Sequence, residues 1–258
     1  MGEPSFDDTG YNPFDLSTDY FSPLPKHASE QTISFIDGGS AEIIGAPNFS
    51  IGYTRVYFNL FRGEKRLESK KLPQRIDFFT VCFAKPKGGQ IFYETELVPV
   101  KEEWNTFLPN ITDLSFNSLD RTLMTGSQRV PISRIIDVSR LFAEWNIAHF
   151  ILSEELEAGD ILVRDGTLQT IAPNKGKYAQ NAYEIAVKKK IYFTALSKTS
   201  TLLTKTGQPL MSAINNLSEK SPMSNDAWYY HPIVEINQPE HQAEMFAVKL
   251  HKLSEYVF

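Results

Sequence analysis

The chain has 258 residues, 41% of them apolar and 22% charged, with a formal net charge of -5. That supports a substantial core in one large domain or two small ones. There is no run of 18 apolar residues, and the acidic, aromatic N-terminus lacks the basic and apolar regions of a signal peptide, so no membrane span is expected and a cytoplasmic location is the default. The single cysteine, Cys82, excludes an internal disulfide and a CxxC metal knuckle, leaving oxygen and imidazole to hold any metal.

Residues 1–31 hold six acids (Glu3, Asp7, Asp8, Asp15, Asp19, Glu30) against Lys26, which accounts for the whole net charge. Aromatics are scattered through this segment without helical or strand period, so it reads as an acidic flexible tail ahead of a domain at 32–258. Its aromatics exceed what a spacer needs and mark it for docking on a partner or on its own body.

β-type runs follow at 32–36, 49–60, 76–84 and 90–98, with a hairpin signal at Lys85-Pro86-Lys87-Gly88-Gly89 between the last two. Residues 101–130 look irregular. Pro131 is placed to open a helix, and Ile135, Val138, Phe142, Trp145 and Leu152 fall on one stripe of a helix over 132–155 that ends before Gly159. His149, on that stripe, reads as structural. A short strand, Asp160 to Gly166, comes next, then a helix at 179–189, a strand at 191–196, a helix at 209–219 and closing β segments at 246–250 and 256–258. A strand meander followed by alternating helices and strands gives an α/β fold with a mixed sheet flanked by helices.

Two basic stretches stand out on the otherwise neutral body. Arg55, Arg62, Lys65, Arg66, Lys70, Lys71 and Arg75 form one; Lys175, Lys177, Lys188, Lys189, Lys190, Lys198 and Lys205 form the other. They read either as solvated faces or as tracks for a phosphate backbone.

Three acids carry the candidate chemistry. Asp37 follows an apolar run and precedes Gly38-Gly39, placing it at the carboxyl end of the first strand; Asp165 ends Ile161-Leu162-Val163-Arg164 in the same way. Glu144 lies mid-helix on a partly apolar face that can turn its carboxylate toward the sheet. Convergent carboxylates call for a hard divalent cation, and such sites hydrolyse phosphodiesters. Strand-end Asp, helix Glu and strand-end Asp in this order make a ribonuclease H-like arrangement. Each Asp-Gly alone is equally a turn, and Glu144 alone a solvated side chain. Asp37-Gly38-Gly39-Ser40 also suggests a phosphate-binding loop, but no GxxxxGK[ST] accompanies it.

Four segments in series, Phe35-Ile36-Asp37-Gly38-Gly39-Ser40, Arg164-Asp165-Gly166-Thr167-Leu168, Ala195-Leu196-Ser197-Lys198-Thr199-Ser200 and Phe246-Ala247-Val248-Lys249-Leu250-His251, resemble the NurA nuclease family across 32–258. The resemblance implies a ribonuclease H-like, Mn²⁺-dependent (or Mg²⁺-dependent) DNA nuclease with 5′-to-3′ exonuclease and single-strand endonuclease activities. It also implies a homodimer that works with HerA, a hexameric ATPase, in DNA end resection, DNA repair or phage defence. Asp37, Glu144 and Asp165 become metal ligands on this reading. Lys198, after a strand end, reads either as a group that holds the scissile phosphate or orients water or as a surface lysine in a turn. Tyr230 and His231 are accessory candidates for base stacking, with a role as core plugs as the alternative. The resemblance further implies a strand and a C-terminal helix bearing an Ala-His pair beyond Phe258; the alternative to an active nuclease is therefore a catalytically incomplete scaffold subunit that docks on the ATPase.

Overall fold

The computed structural model describes residues 2–6, 9–25, 30–124, 126–170, 174–237, 243–254 and 256–258. In chain order the strands and helices are β1 (Pro4–Ser5), β2 (Tyr11–Pro13), β3 (Phe21–Pro23), β4 (Thr32–Ala46), β5 (Phe49–Arg62), β6 (Lys65–Leu67), β7 (Arg75–Lys87), β8 (Gln90–Pro99), β9 (Phe116–Asn117), α1 (Arg134–Glu154), β10 (Ile161–Asp165), α2 (Lys175–Lys189), β11 (Tyr192–Leu196), β12 (Leu203–Thr204), α3 (Leu210–Ser218), β13 (Trp228–Tyr230), β14 (Val234–Ile236) and β15 (Ala247–Lys249). The fold is mixed α/β, and the chain divides into two compact units.

The larger unit comprises residues 29–165 and 170–194. Its sheet has the order β11-β10-β4-β5-β7-β8-β9, with β6 added to β5. β4, β5, β7 and β8 form the antiparallel meander expected from their alternating patterns, while β10 runs parallel to β4. The β7–β8 hairpin closes through Gly88 and Gly89, both at positive φ, as the tight primed turn demands. Alternation sets Ile36, Val56, Phe58, Leu60, Ile76, Phe78 and Cys82 on one face, all buried, where α1 packs. α1 buries residues most of the way round, because α2 packs against it as well. Burial pushes the Cys82 thiol up to about 11, so it is an inert core group.

The first strand departs from expectation. β4 does not stop at Ile36; it continues to Ala46, so Asp37 is mid-strand rather than at a carboxyl end. Gly38 is a strand residue because α1 comes close: a Cβ there would lie 2.8 Å from Glu144 Oε1, and one on Gly52 of β5 would lie 2.4 Å from Ile136. These glycines, which read as a loop signal, instead let the helix approach the sheet.

The smaller unit comprises residues 1–28, 166–169 and 195–258. Residues 1–31, read as a flexible tail, contribute three strands to it. β1 pairs with β12, β2 with β14, and β3 with β13 beside β15. Phe21 packs in a core with Leu210, Ile214, Trp228, Tyr230 and Ala247, and Phe6, Tyr11, Leu16 and Tyr20 lean on it. The aromatic excess of this segment therefore docks on its own body. The C-terminal β segment expected at 256–258 is a single reciprocal pair of backbone hydrogen bonds between Phe258 and Val248.

Candidate carboxylate site

Asp37 and Asp165 each follow the last paired residue of two neighbouring parallel strands. β10 and β4 are aligned in parallel, and their last pair is Arg164 beside Ile36, each one residue before an aspartate. Lateral neighbours on adjacent strands stand about 4.8 Å apart along the backbone. Alternation turns both away from α1, since Ile36 and Arg164, the residues before them, are buried on the helix side. Asp37 is tightly placed: its Oδ1 accepts the Gly38 N–H at 2.7 Å and its Oδ2 the Tyr57 hydroxyl at 2.9 Å. A groove of about 300 Å³ between β4 and the start of α1 includes Ser40, Glu42 and Asp137 but neither aspartate. Asp37 lies instead on a sheet face where Phe35 is 42% and Tyr57 38% exposed.

Glu144 does not join them. Its side chain lies on the helix-covered face, 2% exposed, and both carboxylate oxygens are taken: Oε2 accepts from Arg164 at 2.6 Å and Oε1 from Arg140, one helical turn earlier. Arg140 also donates to the Gly38 carbonyl at 3.2 Å. Burial lifts the Glu144 carboxyl above its usual range against the opposing pull of Arg164 and Arg140. A carboxylate already neutralised by two arginines in a buried ion triad offers little attraction to a further cation, which the neighbouring guanidinium charges would repel. Arg140 at the i-4 position was the readable sign of this.

Lys175, at the start of α2, adds a third cation. It is 6% exposed, and its Nζ, like the Arg164 guanidinium, lies over the Trp145 ring. Burial and the nearby Arg164 charge bring it down to about 8. Between pH 8 and the unfolded value near 10.5 the folded chain holds Lys175 neutral while the unfolded chain protonates it, so stability rises with pH across that window. The urea midpoint is expected to reflect a gain of about 1–2 kcal/mol from pH 7 to pH 9.5. Lys175→Met abolishes that rise; a rise that persists in the variant would show that another group causes it.

Lys198 is exposed in the turn after β11 and belongs to the smaller unit, so it shares no element with the two aspartates. Tyr230 is fully buried in the smaller unit's core, its hydroxyl accepting the Ser17 N–H at 3.1 Å. His231 stacks on Phe246 at 4.4 Å and faces Glu244 at 3.5 Å. Tyr230 is thus a core plug, as its alternative reading had it. His149 packs edge-on against Phe150.

Several members of the basic stretches are engaged within the fold. Lys177 pairs with Asp113 and Lys205 with Glu3. Lys189 caps the end of α1 by donating to the carbonyls of Leu152, Ser153 and Leu156. Lys71 pairs with Glu154, and Glu155 accepts the backbone N–H groups of Lys70, Lys71 and Leu72. Arg55 and Arg75 share Asp77.

Among the described residues no group of three or more Asp, Glu, His or Cys gathers where it could hold a metal. Two adjacent carboxylates nevertheless suit one hard cation of the Mg²⁺ type, which takes one or two protein carboxylates and fills its remaining positions with water and substrate oxygens. The chain matches no family model, no curated protein and no solved structure. Among the described residues no helix is long and apolar enough to cross a membrane.

Proposed function

We propose that the larger unit is a ribonuclease H-like nuclease domain that hydrolyses DNA phosphodiester bonds with Mn²⁺ or Mg²⁺ held by Asp37 and Asp165, acting as a homodimer at DNA ends with a HerA-type ATPase. The parallel pairing of β4 and β10 that ends at Ile36 and Arg164, one residue before each aspartate, carries this reading. The element order supports it too: an antiparallel meander β4-β5-β7, then α1, then β10 beside the first strand, then α2 and edge strand β11. A divalent cation would supply Lewis-acid stabilisation of charge building on phosphoryl and leaving oxygens. Tyr57 and the Gly38 N–H fix the Asp37 carboxylate in one orientation. The Arg140–Glu144–Arg164 triad ties α1 to both strands that carry the aspartates. Glu144 is a positioning residue on this reading, and the metal-ligand role that the NurA resemblance gives it falls away.

The test is cleavage of end-labelled single- and double-stranded DNA by the full chain with Mn²⁺, Mg²⁺ or EDTA, alone and with the ATPase. Products should need the metal, and Asp165→Asn should lower the rate by about 10³-fold, the equivalent of some 4 kcal/mol of transition-state stabilisation. Equal cleavage by a folded Asp165→Asn protein would remove the assignment.

One observation favours a second reading. With Glu144 committed to two arginines, the three-acid set is incomplete, which suits a scaffold subunit that docks on the ATPase. That reading expects a stable complex without metal and no products under any condition.

A further inference from the structure

The face that carries Asp37 and Asp165 continues across the sheet as an ordered row. Tyr57 of β5 is paired with Asp37, and Arg75 of β7 with Tyr57; one step along, Arg55 is paired with both Gly39 and Asp77. Arg55 and Arg75 converge on a single carboxylate. Arg55 Nε donates to Asp77 Oδ1 at 2.8 Å and Arg75 Nε to Asp77 Oδ2 at 2.7 Å. The Asp77 side chain is 4% exposed, whereas the arginine side chains are 44% and 55% exposed. Burial by itself would raise the Asp77 carboxyl, but hydrogen bonds from Arg55, Tyr53 and Arg75 outweigh it and hold the group below its usual range.

Each guanidinium has five N–H donors, and the carboxylate engages only the Nε edge. The Nη groups of Arg75 have no other partner among the described residues; one Nη of Arg55 reaches the Tyr53 hydroxyl at 3.4 Å. Two fixed cations on one anion leave a surplus positive charge whose donor forks are oriented outward, the geometry that takes a phosphate bidentately. A core ion pair needs no second arginine, and a solvated basic face needs no buried anchor. Two strand spacings separate Arg75 from Asp37, about 10 Å, a neighbouring-phosphate distance rather than the scissile one. Rings line the same face: Phe35 against Phe61 at 6.0 Å and Tyr53 against Phe79 at 5.4 Å, with sequence-tolerant stacking surface to offer.

We propose that Arg55 and Arg75, braced by Asp77, form a phosphate clamp that holds the backbone of single-stranded nucleic acid next to the Asp37–Asp165 pair. The clamp's placement rests on the nuclease reading, but its test does not need cleavage. Anisotropy of a fluorescein-labelled single-stranded deoxyoligonucleotide of about 12 nucleotides is followed in EDTA over a range of salt, with the full chain. Arg55→Ala/Arg75→Ala should weaken binding by about tenfold at low salt and reduce the salt slope by about 1.4, two phosphate contacts at 0.7 each. Arg55→Lys/Arg75→Lys keeps the charge without the fork, so it should keep the slope and still lose affinity; it serves as the deciding pair if the double alanine variant fails to fold. No binding by the unmodified chain, or affinity and slope unchanged in a folded double variant, would overturn the clamp. Arginine-dependent binding without cleavage would leave the clamp standing and remove the nuclease; metal-dependent cleavage with arginine-independent binding would do the reverse.

Discussion

Glu144→Ala is expected to destabilise the larger unit by about 3–5 kcal/mol, because it leaves Arg164, 3% exposed, without its anion in a dry interior. Arg140 has partial access to water, with 23% of its side chain exposed, and contributes the smaller part. The direction of this effect separates two pictures of the site. A carboxylate poised beside Asp37 and Asp165 as a third metal ligand repels them in the absence of metal, so its removal would stabilise the metal-free chain. The ion triad predicts the opposite sign. Adding Arg164→Met to Glu144→Ala should recover part of the loss, since an apolar side chain of similar length does not need the missing charge. Urea unfolding in EDTA gives the answer, and a loss under 1 kcal/mol for Glu144→Ala would contradict the triad.

Phe21→Ala is expected to cost about 3–4 kcal/mol in the smaller unit. The Phe21 ring meets Trp228 at 4.9 Å and Tyr230 at 4.8 Å, both edge-on, and those two side chains are fully buried. β3 is also the neighbour that completes the pairing of β13 opposite β15, so the side chain and the backbone of this segment act together. Were residues 1–31 a tail, the substitution would fall within about 0.5 kcal/mol of zero. Urea unfolding followed by near-ultraviolet circular dichroism reports the aromatic packing directly. An unchanged midpoint and spectrum would mean that the segment does not form part of this core.

These two residues also mark where sequence reasoning reached and where it stopped. The meander and α1 were legible because their signals are local: alternation over β5, β7 and β8, a 3.6-residue stripe over α1, and a glycine pair at the β7–β8 turn. Asp165 was legible for the same reason, as a strand end closed by Gly166. Asp37 reads from sequence as a strand end yet lies mid-strand, because Gly38 and Gly39 look like a turn until the helix that crowds Gly38 is known. Glu144 was correctly turned toward the sheet, yet the partner that decides its role, Arg164, is 20 residues away. The strands within residues 1–31 were invisible because each pairs with a segment beyond residue 200, and two- or three-residue strands carry no period of their own. Arg55 and Arg75 were counted as a basic stretch, and only the strand register exposed Asp77 as their common anchor.

The central claim is that a divalent cation binds at the Asp37–Asp165 pair and not at Glu144. Mn²⁺ binding to the full chain, measured by electron paramagnetic resonance on the unmodified protein, Asp37→Asn, Asp165→Asn and Glu144→Gln, tests it most directly. The account predicts that either aspartate substitution weakens Mn²⁺ binding by at least about tenfold, while folded Glu144→Gln protein loses less affinity than either aspartate variant. Binding lost in Glu144→Gln and kept in Asp165→Asn would contradict it.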